Sequence, residues 1–466
     1  MGNYFRPLLV GCLTIVLNTV IVRNSLCQKY SKQVELETKL YSLSKVWSEC
    51  EFNFPYFKFL DQHIIDSIYR KSLADVIVST DDFSYYLIMR KFLASFRDNH
   101  TYYTYPKSIQ SQLNRSQFMG VRLEASLIEG KAVITRIGRN NAIDIPIGSE
   151  ILFIDSIKVS YYLNSHIKPF LSSSSEQRLN EIAVKNIFLG LDGSSFTVTI
   201  KKPNNDIATF KLTRADNEDE WLPLLKTSSF VSKLNDNICQ IKIGSFNDFS
   251  LIDSLSSHME QLSHSKGIII DLRGNTGGNS ILACKIASFF IHDSIIYGSL
   301  VSTRKNLAIN RAYGLRYPIS DTSNESRMED ILYARNLFLE NVGISKNQNE
   351  FSLRKISENI EIVILIDALN ISAAEEFLIY LKDKKNITFI GEATGGGNGS
   401  PMIILLPDGG SASICTQYCA FSDGTDYYRK GIQPEITIYQ TYKDFLQGID
   451  TVMEFAIKYL RNNTMK

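Results

Sequence analysis

The run Ile362-Val363-Ile364-Leu365-Ile366 constrains the fold more than any other stretch, because five apolar residues, four of them β-branched, follow one another without a polar interruption. A strand with one face in water alternates apolar and polar residues, so an unbroken run points to a strand covered on both faces, as in a parallel sheet between helices. A helical pattern begins at Ser372, with Ala373, Ala374, Phe377, Leu378 and Leu381 at near-helical spacing and Glu375 and Glu376 in the first turn. Ser372 therefore stands at a strand-to-helix junction. There a hydroxyl projects from a turn, and the free N–H groups of the helix start can face a developing negative charge. The same position suits an N-cap, whose side chain accepts from those N–H groups. This stretch alone leaves both roles open.

The surrounding region, residues 220–440, alternates strands and helices. Ile238 to Ile243 reads as a strand, Ser250 to Leu262 as a helix, Gly267 to Asp271 as the next strand and Ser280 to Phe290 as a helix. That order predicts a largely parallel or spiral α/β core. Residues 298–353 are polar and rich in Tyr, Asn and Arg, and read as a lid-like insertion. Residues 441–466 read as a C-terminal helix. After the strand ending at Asp271 comes Leu272-Arg273-Gly274-Asn275-Thr276-Gly277-Gly278. Paired glycines there let the backbone approach a ligand and turn N–H groups toward an anion. The GxGxxG spacing and the P-loop Lys-Ser/Thr are absent, so a nucleotide is not indicated. An oxyanion site formed by Gly277 and Ala373 N–H groups fits acyl transfer and makes Ser372 a candidate nucleophile.

The N-terminus carries a basic residue, Arg6, and then the mostly apolar Pro7 to Val22, the length of a signal-peptide core and short for a membrane span. Small residues before Gln28 suit cleavage, so residues 1–27 read as a signal peptide and the chain as exported, to a periplasm, a cell envelope or the medium. Lipidation at Cys12 and an uncleaved helical anchor remain as alternatives, each placing the chain near a membrane. Residues 28–110 read as a helical domain that ends in the polar turn Asp98-Asn99-His100-Thr101. A histidine in such a turn, taken alone, is more often structural than catalytic.

Residues 116–215 change to short strands split by Gly and Asn, with one helix from about Glu176. The order of elements, and the segment Gly148 to Asp155, resemble a PDZ domain. The resemblance implies that Gly120 and Val121 form a carboxylate-binding loop and that a peptide pairs as an added strand. An unliganded sheet edge is the alternative.

Fifty basic and 49 acidic residues leave a formal net charge of +1, which gives no reason to expect nucleic acid. Five cysteines follow the leader, an odd number without a paired CxxC pattern, so neither a disulfide framework nor a metal site is indicated by spacing.

Four motifs in order, DLRGNTGG at 271–278, ISAAEEF at 371–377, GEATGGG at 391–397 and GIQPEITI at 431–438, resemble the C-terminal processing (tail-specific) serine peptidases. The resemblance implies a crotonase-like (ClpP/crotonase) spiral α/β core with an inserted PDZ-like β domain and an N-terminal helical domain. It also implies an endopeptidase acting on polypeptides through an acyl-enzyme, with Ser372 as nucleophile and no cofactor. Many members carry a lysine base where this chain has Gly397. A branch resembling the tricorn protease core and the retinoid-binding repeats instead draws a histidine from a DSHT-like motif, which makes His100 the base. In that branch an acidic residue completes the relay near Tyr428, and Asp426 is the nearest carboxylate in sequence. A non-catalytic peptide- or ligand-binding protein on the same fold is the alternative function. An acyl-CoA enzyme of crotonase type is disfavoured, because such chains lack the inserted β domain.

Overall fold

The computed structural model describes residues 33–223, 228–321, 323–349 and 354–463. The leader read at residues 1–27 lies outside them. Among the described residues no helix is long and apolar enough to cross a membrane.

The described residues begin with helices α1 (Leu36–Asn53), α2 (Gln62–Ile77) and α3 (Asp82–Ala94). Asp61 and Asp81 cap α2 and α3 by accepting N–H groups of their first turns. A short strand, β1 (Tyr102–Thr104), follows the Asp98–Thr101 turn. The next region contains β2 (Gln117–Phe118), β3 (Val121–Ile128), β4 (Lys131–Gly138), β5 (Glu150–Ile154), helix α4 (Glu176–Lys185), β6 (Ser195–Lys201) and β7 (Ile207–Thr213). These strands form one antiparallel sheet in the order β7-β6-β5-β4-β3-β2, and α4 lies against β3. Its core is closed and local, with Phe118, Phe188 and Phe196 in mutual ring contact.

The third region holds β8 (Phe230–Lys233), β9 (Ile238–Lys242), α5 (Ser250–Ser257), β10 (Gly267–Asp271), α6 (Ser280–Ala287) and the long strand β11 (Ile295–Arg304). It continues with α7 (Ala308–Gly314), α8 (Glu325–Ala334), β12 (Leu339–Gln348), β13 (Glu361–Ile366), α9 (Ala373–Leu381) and β14 (Ile387–Gly391). The chain ends with β15 (Pro401–Leu405), β16 (Ser411–Cys415), β17 (Gln417–Ala420), β18 (Ile436–Thr437) and α10 (Thr451–Asn463). The central sheet runs β8-β9-β10-β13-β14-β18, parallel from β9 onward. The apolar run of β13 sits in its middle, and its side chains divide between two cores. Ile362, Ile364 and Ile366 face α5, α6 and α9, whereas Val363 and Leu365 face Val452, Ala456 and Leu460 of α10. Two-sided cover is the physical reason the run carries no polar residue.

Residues 295–348 form a hairpin of β11 and β12 carrying α7 and α8 at its end, and β11 also pairs with β17. The N-terminal helices close no core of their own. Leu43, Phe54, Phe92 and Phe96 share one with Ile414, Cys415 and Tyr428. Strand β16 binds the two regions by pairing with both β1 and β15. The helix expected from Ser250 to Leu262 breaks at His258 into Ser250–Ser257 and Met259–Ser263. Cys415 and Cys419 lie on successive strands, and the five described cysteines are buried and form no disulfide with one another.

Candidate active site

Strand β13 and helix α9 are joined by Asp367–Ser372, and Ser372 occupies φ 58°, ψ −129°. A non-glycine residue in such a conformation costs about 1–3 kcal/mol and persists only where its surroundings hold it. Asn370 supplies much of that hold. It is fully buried, donates from Nδ2 to the carbonyls of Leu272 (2.7 Å) and Asn275 (3.0 Å), and accepts the Asp367 N–H at 2.9 Å. One amide thereby ties the serine turn to the glycine-rich turn. The Ser372 side chain makes no capping bond to α9, so the N-cap role that the sequence left open is not the one it plays here. Its hydroxyl stands uncommitted at a sharp strand-to-helix elbow, the geometry that exposes a nucleophile.

The Asp271–Gly278 turn packs directly on this elbow. A Cβ on Gly277 would lie 2.9 Å from Ser372 Cβ and 3.0 Å from the Ala373 nitrogen, and Gly277 has φ +99°. Only glycine fits both the space and the backbone. The Gly277 N–H, however, donates to Asn275 Oδ1 at 2.8 Å in a local side-chain turn, which corrects its expected role as a free oxyanion donor. Among the described residues the N–H groups of Gly278 and Ala373 have no such acceptor. The charged part of the motif is structural. Arg273 makes paired bonds to Asp271 and to Asp450 ahead of α10, and Lys242 joins Asp271 at 3.3 Å. Burial alone would push the Asp271 carboxyl up, but Arg273 and Lys242 outweigh it and hold the group below the usual carboxylate range.

Behind the elbow lies the loop Thr394–Asn398, held from beneath by the first turn of α9. Glu375 is fully buried and accepts the Gly396 and Gly397 N–H groups (2.7 and 2.9 Å) and the Thr394 hydroxyl. Burial raises its pKa to about 7 against those bonds. Glu376 accepts from Ser299 N–H and Asn398 Nδ2. The two glutamates that the sequence places in a helix first turn are thus buried anchors, one for the glycine loop and one for the β11 hairpin.

The same loop receives the Asp98–Thr101 turn. Ser372 N–H donates to the Gly397 carbonyl at 3.1 Å, and Asn99 Nδ2 donates to the Gly395 carbonyl at 3.2 Å. A Cβ on Gly397 would stand 2.6 Å from Asn99 Nδ2 and 2.5 Å from Ser174 Oγ. One glycine therefore touches the serine elbow on one side and the histidine turn on the other. Ser174 completes the junction by donating its N–H to Asn99 Oδ1 and accepting the Asn99 N–H, at 2.9 and 3.0 Å. Gln177 Nε2 reaches the carbonyls of Thr394 and Lys430, and Arg178 reaches the Leu369 carbonyl at 3.0 Å. The start of α4 thus clamps the site.

His100 is buried, and its carbonyl accepts the Ser413 hydroxyl at 2.7 Å. Its Nδ1 is sealed from solvent without a partner, and no hydrogen bond joins its ring to Ser372 in this structure. Burial pushes the imidazole pKa down, opposed by Asp98 and reinforced by Arg178, so the ring is neutral over more of the pH range. Asp98, also fully buried, accepts the His100 N–H (3.0 Å) and the Thr101 hydroxyl (2.9 Å) on Oδ1, and the Ser174 hydroxyl (3.4 Å) on Oδ2. Burial raises its pKa despite those partners.

The carboxylate beside His100 is therefore Asp98, not the expected Asp426. Asp426 accepts the Tyr428 N–H at 2.9 Å in its own turn. Tyr428 stacks on Tyr56 at 3.7 Å and donates its hydroxyl to the Arg97 carbonyl, filling the place where an acid was expected. Asp98 was legible as a residue type two positions before the histidine. Asn99, Ser174, Asn370 and Arg178 carried no sequence signal, because their partners lie 75 to 296 positions away for Asn99 and Ser174 and 95 to 191 positions away for the other two. Gly120 and Val121 lie apart from this cluster, at the turn between β2 and β3, with Gly120 at φ +79°.

The fold matches solved structures closely in extent. Mature CPAF complexed with lactacystin superposes with a TM-score of 0.66 at 14% identity over 92% of this chain and 99% of that one. Mature CPAF itself gives 0.67 at 13% identity, over 92% and 98%. No curated protein matches in sequence. Residues 237–438, which carry β9 to β18, the serine elbow and both glycine loops, match peptidase family S41. The α/β core of this chain, from β9 to β18, is therefore similar to peptidase family S41.

Proposed function

We propose that the chain cleaves polypeptides by attack of Ser372 on a peptide carbonyl, with His100 as the base and Asp98 as the acid that orients it. The observation that carries this assignment is the Gly397 junction, where the serine elbow and the Asp98–His100 turn meet on one loop. As His100 accepts the serine proton, the Asp98 carboxylate stabilises the imidazolium. The Ala373 and Gly278 N–H groups receive the oxyanion, and water then hydrolyses the acyl-enzyme. A hydrogen bond between base and nucleophile absent without substrate is common and tightens in the complex.

A fluorophosphonate probe tests the nucleophile directly. Labelling should map to Ser372 and disappear in Ser372→Ala; labelling that persists in the variant, or a wild-type protein inert to the probe, overturns the assignment. The spiral crotonase-like core belongs to the same reading, as does a PDZ-like role for β2 to β7 with α4. Beyond Leu123 the β2-side edge of β3 has no strand partner among the described residues, and α4 borders it, which suits an added peptide strand ending near Gly120 and Val121. Export through the N-terminal leader is part of this proposal too.

The glycine at 397 marks the division from a lysine-based site. A lysine there would drive its Cβ into Asn99 and Ser174, which occupy its space to place His100. Gly397→Lys is therefore expected to lose peptide hydrolysis and about 1–3 kcal/mol of stability by overpacking, and not to restore a His100→Ala enzyme. Steady-state kinetics of the single and double variants check this; a rescued double variant refutes it.

The pH profile has a definite sign. The base works only when neutral, so kcat/KM should be full at neutral pH and fall as pH drops through the folded-state pKa of His100. Burial holds that pKa below the ordinary value of 6.5, so the acid limb should have its midpoint below 6.5. A midpoint above that value contradicts the buried, neutral base.

A further inference from the structure

The residue next to the base that the peptidase reaction does not use is Cys415. It ends β16, the strand that pairs with β1 directly after His100. Its N–H donates to Thr101 Oγ1 at 3.1 Å, and that hydroxyl donates in turn to Asp98, so the thiol is held in register with the Asp98–His100 turn. A ring nitrogen of His100, a carboxylate oxygen of Asp98 and the Cys415 sulfur all lie within 4.8 Å of one another, and all three residues are buried. The sulfur's own contact is weak, to the Gln417 carbonyl at 3.3 Å. His100 Nδ1 is sealed here with no partner at all. A buried imidazole nitrogen without a donor or acceptor is an unmet demand, and its ring stands beside one carboxylate oxygen and one sulfur.

We propose that Asp98, His100 and Cys415 form an inhibitory site for a divalent cation of zinc type, which switches the peptidase off by occupying its base. The donor set suits that cation, which takes thiolate, imidazole and carboxylate at about 2.0–2.3 Å in tetrahedral geometry. Such bonds require ligand atoms about 3.3–3.6 Å apart, so closing the cluster needs a contraction of roughly 1 Å, with water as the fourth ligand. Binding releases the thiol proton to solvent, and the two negative ligands then face the positive charge of Arg178 as well as the metal. The consequence for catalysis is the same whichever ring nitrogen is taken. A metal on Nε2 removes the lone pair that would accept the serine proton. A metal on Nδ1 leaves the remaining proton on Nε2, which then donates instead of accepting. Asp98 is withdrawn from the imidazole in either case. The inhibitory effect rests on the proposed base; metal binding does not.

The test uses the full chain freed of metal by a chelator. Titration with Zn²⁺ should abolish peptide hydrolysis at one equivalent, reversibly on adding chelator. Co²⁺ should bind with a thiolate-to-cobalt charge-transfer band in the near ultraviolet. In Cys415→Ser the band should vanish, and the Zn²⁺ concentration for half inhibition, read against that variant's own metal-free rate, should rise at least about tenfold. Cys415→Ala serves the same purpose if the serine variant folds poorly. Equal zinc sensitivity in a folded Cys415 variant, or Co²⁺ bound without the band, overturns the proposal. If no peptide is cleaved under any condition, the band and its dependence on Cys415 still decide the metal site separately from the peptidase assignment.

Discussion

Ser372→Ala should lower kcat by roughly 10⁴- to 10⁶-fold and leave the protein as stable as before. The size follows from the chemistry, since no other hydroxyl or thiol replaces the nucleophile on the elbow and only the oxyanion donors and substrate binding remain to assist water. The unchanged stability follows from the geometry. The hydroxyl caps nothing in α9, so its loss strands no partner and opens no buried cavity. Single-turnover kinetics with a peptide substrate and a thermal unfolding curve measure both halves. A variant that keeps more than a hundredth of the wild-type rate would move the nucleophile elsewhere.

The second large effect is expected at the base and its acid. His100→Ala should cost about 10⁴-fold or more in kcat, and Asp98→Asn about 10²- to 10⁴-fold. An asparagine at 98 can still accept the His100 N–H and the Thr101 hydroxyl through its amide oxygen, so the turn should hold its shape. What it lacks is the charge that stabilises an imidazolium. Asp426→Asn is the control, because that carboxylate accepts the Tyr428 N–H in its own turn. Comparable losses at 98 and 426, or a larger one at 426, would return the relay to the residue that the sequence suggested.

These two assignments differ in how legible they were. The elbow could be read from residues 361–381 because everything that makes it is local: an unbroken apolar strand, a polar turn and a helical period. The fold class followed from the same run, since α10 and the α5–α6–α9 layer need an apolar residue at every position from Ile362 to Ile366. His100 could be reached only through a motif likeness, because nothing within its turn distinguishes a catalytic histidine from a structural one. The sequence points to Asp426 rather than Asp98 because the stacking of Tyr428 on Tyr56 is a tertiary contact without a local signature. Gly277 lies in the expected turn, but the Asn275 side chain takes its N–H, a contest between local and functional hydrogen bonds that spacing does not reveal. The junction of Asn99, Ser174 and Gly397 is a meeting of three distant segments and has no local signature.

The pairing of β1 with β16 joins residues 102–104 to 411–413, more than 300 positions apart along the chain. Contacts that close so long a loop are disfavoured early in folding and form late. A chain emerging from a ribosome, or still threading through a translocation channel, can build the serine elbow long before β16 exists to seat His100. Peptidase activity should therefore appear as one of the last events of maturation. Until then the elbow has no base beside it and cannot act on the unfinished polypeptide.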